Sequence, residues 1–254
     1  MDHYIVFSGT GNCLYCVNEL VKRSASPTKI TILKDTNYQA SFVAEALILV
    51  FPVYAYTLPL VIKQFIKYAS INCNYLAVMI SGGSIAGRAF LETRKRFKKR
   101  QLIVNYEYFM RSPENFGALF ASTTSKNNLR YLQMTNSLSE VAHSLALRSN
   151  KIITEAPFLT IIPSFFFSLF HGSIFLANHS SKKCCNSCGL CVKICPFKSV
   201  TLNSQGRPKF NRKTCNHCQR CINYCPTKAI SMLLQGHKKP RFVNKFISLK
   251  DYFS

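Results

Sequence analysis

KKCCNSCGLCVKICPF at 182–197 and TCNHCQRCINYCP at 214–226 carry one spacing of cysteines twice. Each stretch ends in a Cys-Pro pair, and alignment on that pair matches four cysteines of one stretch with four of the other. The matched residues are Cys185, Cys188, Cys191 and Cys195 in the first stretch, and Cys215, Cys218, Cys221 and Cys225 in the second. Cys184 stands outside the pattern. The repeat predicts two segments that fold alike around metal.

This spacing is typical of bacterial iron–sulfur domains, in which the fourth cysteine of each run serves the other cluster. Two-residue gaps let three sulfurs face one cube, and the fourth sulfur arrives from the other repeat. By that rule, one 4Fe–4S cluster is held by Cys185, Cys188, Cys191 and Cys225. The second is held by Cys215, Cys218, Cys221 and Cys195. The alternative is a pair of zinc sites, but zinc usually takes two separated Cys pairs. Cys184 is expected to be a free thiol beside the first cluster.

Composition narrows the class of protein. The chain has 254 residues, of which 48% are hydrophobic, so it can bury a proper core. The net charge is +23, and residues 156–250 contain fifteen Lys and Arg but no Asp or Glu. Such a charge indicates an anionic partner. Crowded Cys-x-x-Cys runs favour metal over disulfides, and a strand-like HYIVF opens the chain at 3–7, so we expect a reducing cytoplasm.

The N-terminal half alternates strand and helix patterns. Strand-like segments lie at 3–7, 46–51, 75–80 and 101–109, with helical patterns between them. This order predicts an α/β doubly wound parallel sheet with helices on both faces. The first three strands run into the loops FSGTGN, FPVYAYTLP and SGGSIAG. In the strand order 2-1-3-4-5 these loops meet at one edge of the sheet, where such folds bind ligands.

Taken together, the three loops resemble those of flavodoxin. With the cysteine repeats that follow, the whole chain resembles the flavodoxin–ferredoxin fusions of anaerobic bacteria, sometimes called ferrodoxins. The resemblance implies a flavodoxin-like domain at 1–153 that binds FMN. It also implies an apolar connector at 154–182, a small α+β two-cluster 4Fe–4S ferredoxin domain at 183–234 and a basic tail at 235–254.

The same resemblance implies roles for the loop residues. The FMN phosphate would be gripped by Ser8, Gly9, Thr10, Gly11 and Asn12. Tyr54 and Tyr56 would flank the isoalloxazine ring, with Gly82 and Gly83 beside it. The residue after Asn12 is Cys13, where flavodoxins commonly place a hydroxyl. Cys13 and Cys16 form a Cys-x-x-Cys at a helix N-terminus, a setting that is expected to lower a thiol pKa and that suits a dithiol switch. The alternative is an accidental pair.

Two further segments bear on partners. TRKRFKKR at 93–100 is either a solvated helix end or a docking patch for an acidic redox protein. The uncharged, Phe-rich segment 158–177 is long enough to span a membrane, but it contains Pro163, His171 and Gly172. We interpret it as a connector that packs between the domains, with peripheral contact to an anionic membrane as the alternative. No nucleic-acid-binding motif is present, so nucleic acid is not expected as a partner.

The function expected from these features is electron transfer between two 4Fe–4S clusters and FMN, within the chain and to a partner. The alternatives are a flavin-dependent reductase of a small molecule and a redox-sensing docking protein with a basic surface. No acid–base pair or nucleophile stands out, so no catalytic residue is predicted. Because positive surroundings stabilise a reduced cluster, we expect potentials above those of an acidic ferredoxin.

Overall fold

The N-terminal part of the chain is built around a five-stranded parallel sheet with the order β2-β1-β3-β4-β5. The structure, a computed structural model, describes residues 1–113, 124–154, 162, 165, 178–181, 183–232 and 240–253. The strands are β1 Asp2–Val6, β2 Thr28–Ile32, β3 Ser41–Pro52, β4 Ser70–Gly82 and β5 Tyr106–Arg111. The predicted parallel sheet and its strand order are confirmed.

Helices cover both faces of this sheet. They are α1 Asn12–Lys22, α2 Leu60–Tyr68, α3 Ala89–Lys98 and α4 Thr124–Ala146. Apolar side chains of α1 and α4, such as Val17 and Leu138, share one core with one face of the sheet. Phe65 of α2 and Phe97 of α3 are fully buried against the other face. The inner strands are apolar on both sides because both faces are covered.

The fifth strand is shorter than the sequence pattern predicts. A strand is expected over 101–109, but β5 begins at Tyr106. Gln101 has a left-handed backbone with φ of 59°, which ends the turn after α3 and cannot belong to a strand. The Asn105 side chain then accepts a hydrogen bond from the Leu76 N–H at 2.9 Å. Pairing with β4 begins only at Tyr106.

The cysteine-rich part forms two short antiparallel pairs and two one-turn helices. Strand β6 (Asn178–Ser180) pairs with β9 (Ile230–Met232), and β7 (Val200–Leu202) pairs with β8 (Pro208–Phe210). The helices are α5 Leu190–Lys193 and α6 Arg220–Asn223, and a 3-10 helix at Lys250–Tyr252 ends the chain. β6 lies inside the segment predicted as a connector, so the end of that segment belongs to the cysteine-rich domain.

The basic run at 93–100 is partly used inside the fold. Arg94 pairs with the fully buried Glu107 at 2.5 Å, and Arg96 pairs with Glu92 at 2.8 Å. Arg100 donates to the Ile66 and Ala69 carbonyls. Lys95, Lys98 and Lys99 are exposed. This segment is therefore a helix end in which the arginines hold neighbouring elements and the lysines face solvent.

Where the structure describes the chain, no helix has both the length and the apolar character needed to cross a membrane. The segment 158–177, for which a connector is predicted, lies outside the described residues except for Ile162 and Phe165.

Candidate functional site

The two cysteine repeats adopt the same backbone. Ser187 and Gly189 of the first repeat have positive φ, and so do the equivalent His217 and Gln219 of the second. After each Cys-Pro pair, a backbone N–H donates to the last cysteine sulfur at 3.3 Å, from Ser199 to Cys195 and from Ala229 to Cys225. The repeated spacing in sequence is therefore a repeated three-dimensional loop, in which left-handed residues turn the chain around a common centre.

The first group of cysteines surrounds a pocket that is open to solvent. Its lining includes the four cysteines predicted for the first cluster, Cys185, Cys188, Cys191 and Cys225, and also Cys221 of the second group. Apolar side chains, including Leu202 and Ile230, complete the wall. Burial, with a smaller contribution from the neighbouring Cys188 and Cys225, raises the pKa of the Cys191 thiol to about 11. The fold thus brings the last cysteine of the second repeat to the first group.

The second group is assembled in the complementary way. Burial raises the pKa of Cys215 to about 12, with further upward contributions from the nearby Cys218 and Cys195. Burial also raises the pKa of Cys221, which has Cys218, Cys215 and Cys195 among its neighbours. The structure thus brings together the four cysteines predicted for the second cluster, Cys215, Cys218, Cys221 and Cys195. Thiols with raised pKa must release protons to bind metal, so uptake of a cluster is linked to proton release.

The described residues contain no set of three His, Cys, Asp or Glu side chains that could hold a single metal ion. Cys184 does not line the pocket and is exposed. That Cys184 is a free thiol rather than a ligand stays a prediction.

The two groups differ in exposure. In the first repeat Cys188 is exposed and the other cysteines are partly exposed. In the second repeat Cys221 is buried, and the repeat lies against the loop that follows β1. The Cys218 carbonyl oxygen would collide with any Cβ atom added at Gly9. The second group therefore lies at the contact with the N-terminal domain, and the first lies toward solvent.

Arg220 lies at the centre of this contact. Its side chain is 3% exposed and donates hydrogen bonds to the Ser8 carbonyl at 2.6 Å and the Gly9 carbonyl at 3.2 Å. A third bond goes to the Ile194 carbonyl at 3.2 Å. The guanidinium lies over the Tyr252 ring, 3.8 Å from its centre. One side chain of the second repeat thus joins the loop after β1, the first repeat and the C-terminal segment.

The loop after β1, which carries the predicted phosphate-gripping residues, is buried throughout. Gly11, with φ of 106°, caps α1, and its N–H donates to Ser8 Oγ at 3.2 Å. The Thr10 carbonyl accepts from the Asn244 N–H at 2.9 Å. The Asn12 amide donates to the Pro113 carbonyl at 2.8 Å and accepts from Asn244 Nδ2 at 3.1 Å, so its side chain is already engaged.

The glycines of this loop permit close packing between the domains. A Cβ atom at Gly11 would lie 2.6 Å from Asn244 Cβ and 3.1 Å from Ile247 Cβ. Together with the contact between Gly9 and Cys218, these short distances explain why both positions are occupied by glycine. The loop resembles a phosphate loop in sequence, and in this chain its glycines also provide the docking surface for the cysteine-rich domain and the C-terminal segment.

Tyr54 and Tyr56 have different surroundings. The Tyr54 ring packs edge-on against Phe7, and its hydroxyl lies 3.3 Å from the position of a Cβ at Gly9. Within the described part of the chain, this buried hydroxyl has no hydrogen-bond partner. Burial raises the pKa of Tyr54 well above its usual range, so the hydroxyl keeps its proton. The Tyr54 hydroxyl is therefore available to donate a hydrogen bond beside the loop after β1.

The other residues predicted to line the flavin ring pack against neighbouring loop and strand residues. Tyr56 has φ of 66° and covers Gly87, where a Cβ atom would lie 2.5 Å from Tyr56 Cβ. Gly82 packs under Val53 and Phe109, and Gly83 is half-buried. The structure thus places Tyr56, Gly82 and Gly83 at the same edge of the sheet as Tyr54.

The expectation of lowered thiol pKa values at the start of α1 is wrong. Cys13 and Cys16 are 1% and 0% exposed. Burial raises the pKa of Cys13 to about 12, although a hydrogen bond with Ser81 acts in the opposite direction. Burial also raises the pKa of Cys16. Desolvation outweighs the helix dipole here, so both groups are inert thiols of the core.

Several residues of the site were missed by the sequence analysis. Asn216 Oδ1 accepts from the Val61 N–H at 2.6 Å and so caps α2 from the other domain. The Tyr252 hydroxyl donates to the Gly9 carbonyl at 3.3 Å. Of these residues, only Arg220 could have been found from the sequence, because the equivalent residue of the first repeat is Leu190. A charged residue in place of an apolar one in otherwise matched repeats indicates a different neighbour.

Known proteins match the two halves separately. A family model for the 4Fe-4S dicluster domain matches residues 184–239. No curated protein sequence matches the chain. Solved structures similar to the chain include the two-electron reduced flavodoxin of Megasphaera elsdenii, at 15% identity. That match covers 56% of this chain and 98% of that one, with a TM-score of 0.36.

Two further flavodoxin structures match in the same way. A short-chain flavodoxin associated with a PDU bacterial microcompartment has 16% identity and a TM-score of 0.36, with coverage of 57% of this chain and 97% of that one. An archaeal flavodoxin has 13% identity and a TM-score of 0.30, with coverage of 56% and 99%. The strand order, the two layers of helices and the family model identify a flavodoxin-like domain followed by a 4Fe–4S dicluster domain, a combination for electron transfer or redox chemistry.

Proposed function

We propose that the chain is a flavodoxin–ferredoxin fusion that carries electrons between an external redox protein and its own flavodoxin-like domain through two 4Fe–4S clusters. The observation that carries this proposal is the exchange of the fourth cysteine. Cys225 lines the pocket of the first group, and Cys195 neighbours Cys215 and Cys218 of the second. A bacterial two-cluster domain needs this exchange, whereas independent zinc sites do not.

The flavodoxin-like domain is proposed to hold FMN. The loop Ser8–Asn12 leads into the N-terminus of the 11-residue helix α1, where backbone N–H groups favour a phosphate. The buried, unpartnered Tyr54 hydroxyl beside this loop fits a ligand that accepts a hydrogen bond. Bound FMN supplies one- and two-electron chemistry, while Arg220 and Asn244 fix the loop from outside through its carbonyls.

The external partner is proposed to be an acidic redox protein that docks at the first cluster. Cys188, Lys183 and Lys193 are all exposed in the first repeat, and residues 156–250 have no acidic side chain. Complementary charge speeds the encounter of such partners and makes the rate fall as salt rises. Exposure of the first group lets electrons enter there, and burial of the second group places it next to the flavodoxin-like domain.

Anaerobic reconstitution with iron, sulfide and FMN tests the proposal. The expected product carries about eight irons per chain and bound flavin. It should be reduced by an acidic ferredoxin at a rate that falls with added salt, without turnover of a small molecule. Protein that takes up zinc and no iron would overturn the cluster assignment. Protein loaded with iron that stays free of flavin would overturn the FMN assignment alone.

A further inference from the structure

Arg220 is a buried cation that forms no ion pair with a carboxylate in the part of the chain that the structure describes. Its side chain is 3% exposed. Residues 156–250 supply no Asp or Glu. The three carbonyls that it contacts offer only partial negative charge. Since a buried charge is costly unless it is paired or lies near a metal centre, the fold implies another negative group nearby.

The nearest candidate for that group is the second cluster. Arg220 lies directly between Cys218 and Cys221 in the chain, two of the cysteines assigned to this cluster. Four thiolates around a 4Fe–4S core leave a net negative charge, which grows by one unit when the cluster accepts an electron. The buried guanidinium therefore interacts more favourably with the reduced cluster than with the oxidised one.

The first cluster has no such group at the matched position. Leu190 begins α5 as Arg220 begins α6, and each follows a residue in the left-handed conformation, Gly189 or Gln219. The two positions are thus equivalent in backbone, but Leu190 is uncharged and partly exposed. The described lysines of the first repeat, such as Lys183 and Lys193, are exposed and therefore screened by solvent. Arg241 is half-buried and interacts with Cys225 of the first group and with Cys221 of the second, so its charge acts on both clusters.

Burial and charge act in opposite directions on the second cluster. Burial of Cys221 disfavours the more negative, reduced state and lowers the potential. A positive charge held in the same buried region raises the potential, and its effect is weakly screened because water and salt are excluded. The rigid hydrogen bonds of Arg220 to the Ser8 and Gly9 carbonyls hold the charge in place.

We propose that Arg220 is a positioning residue that raises the reduction potential of the second cluster above that of the first. This inference rests on the proposed function, since it needs both clusters to be 4Fe–4S centres. It gives the chain a direction: an electron that enters at the exposed first cluster moves to the second, next to the flavodoxin-like domain. The oxidised second cluster gains the electron that the reduced first cluster loses, and no other reactant is needed.

The test is a redox titration of the reconstituted protein that is monitored by electron paramagnetic resonance. It compares Arg220→Gln with wild type. We expect the higher of the two midpoint potentials to fall by at least about 59 mV, which corresponds to a tenfold change in the one-electron equilibrium constant. The lower midpoint should move less. Lys213→Gln removes the same charge two residues from Cys215, but at an exposed position, and should leave both midpoints nearly unchanged.

Two more variants separate charge from structure. Arg220→Lys keeps the charge and should keep the higher midpoint close to that of wild type. Leu190→Arg adds a charge at the matched position and should raise the lower midpoint. If Arg220→Gln fails to load its second cluster, Leu190→Arg becomes the deciding variant. An unchanged lower midpoint potential in Leu190→Arg then overturns the proposal.

Other outcomes also overturn it: equal shifts of both midpoints in Arg220→Gln, a shift no larger than that of Lys213→Gln, or an equal fall in Arg220→Lys. Protein that loads no iron–sulfur cluster at all would instead refute the proposed function, which the iron and sulfide count reveals before any titration.

Discussion

The two cysteine repeats have one backbone and opposite surroundings. Beyond Cys195, Pro196 and Phe197 are buried, and the Phe197 ring packs 5.7 Å from that of Phe7. The equivalent Pro226 and Thr227 are exposed. The buried parts are therefore the end of the first repeat and the body of the second. With the proposed crossover of the fourth cysteines, these are the parts that would surround the second cluster.

In the proposed assignment, the crossover sorts the two clusters by environment. Each repeat would contribute to both clusters, and the second cluster would be surrounded by the segments that contact the N-terminal domain. The first would be surrounded by segments that include the exposed Cys188 and the partly exposed Cys185. A single docking contact would thus make one cluster the inner centre and the other the outer centre, although the repeats are alike in sequence.

The largest expected effect comes from removing each fourth cysteine. Cys225→Ser and Cys195→Ser should each lose about half of the iron. Iron release to a chelator should have a fast phase from the exposed cluster and a slow phase from the buried one. With crossed ligands, Cys225→Ser loses the fast phase and Cys195→Ser loses the slow phase. If Cys225→Ser loses the slow phase instead, each repeat holds its own cluster and the comparison fails.

Next in size is the effect of forcing the domains apart at Gly9. A methyl group in Gly9→Ala would overlap the Cys218 carbonyl oxygen, which is backbone and cannot rotate away. Overpacking of this kind costs roughly 1–3 kcal/mol. The slow phase of iron release should therefore quicken by about 5- to 150-fold while the fast phase is unchanged.

The matched control for Gly9→Ala is Ser84→Ala, an exposed position at the same edge of the sheet. It should leave both phases as in wild type. An unchanged slow phase in Gly9→Ala would mean that docking of the domains does not protect the second cluster.

A smaller effect is expected at Asn216, which caps α2 from the second repeat. Asn216→Ala removes the acceptor for the Val61 N–H, a loss of roughly 0.5–2 kcal/mol. Its equivalent in the first repeat, Asn186, is exposed, so Asn186→Ala is the matched control. Denaturant unfolding under anaerobic conditions should show a lower midpoint for Asn216→Ala only. Equal midpoints for the two variants would show that this contact contributes nothing to stability.

Local sequence patterns predicted most of the strands, helices and loops of the fold. Alternating strands and helices predicted the parallel sheet and its strand order, because parallel strands covered on both faces need apolar runs such as 46–51 and 75–80. The cysteine spacing predicted the repeated loops, since two-residue gaps restrict how the backbone can turn. The resemblance placed Ser8–Asn12 at the carboxyl end of β1, where the structure has them.

Contacts between distant segments could not be predicted in this way. Gly9 touches Cys218 and Gly11 touches Asn244, pairs that are far apart in the chain and carry no shared local pattern. The same holds for the raised pKa of Cys13, where burial in the core shared with α4 outweighs both the helix N-terminus and the hydrogen bond with Ser81. Such effects depend on which surfaces pack together, which the sequence of either segment alone does not specify.

The smallest effect on the clusters is expected at Cys184, which the comparison of repeats leaves without a role. Its equivalent in the second repeat is Thr214, a residue that cannot bind iron, and Cys184 is exposed. Cys184→Ser should keep the full iron content. In the loaded wild type, a thiol reagent should modify Cys184 first. Cys13 and Cys16 should react only on unfolding, because burial raises the pKa of both thiols.

Cys73 is the internal control for this measurement. It is half-buried, and burial raises the pKa of its thiol, so it should react more slowly than Cys184. Cys184→Ser should therefore remove the fast-reacting thiol and leave the slower one. A loss of iron in Cys184→Ser together with full iron in Cys185→Ser would mean that Cys184, and not Cys185, is the equivalent of Cys215. The equivalence of Leu190 with Arg220 would survive that change, because it depends on Cys188 and Cys191 alone.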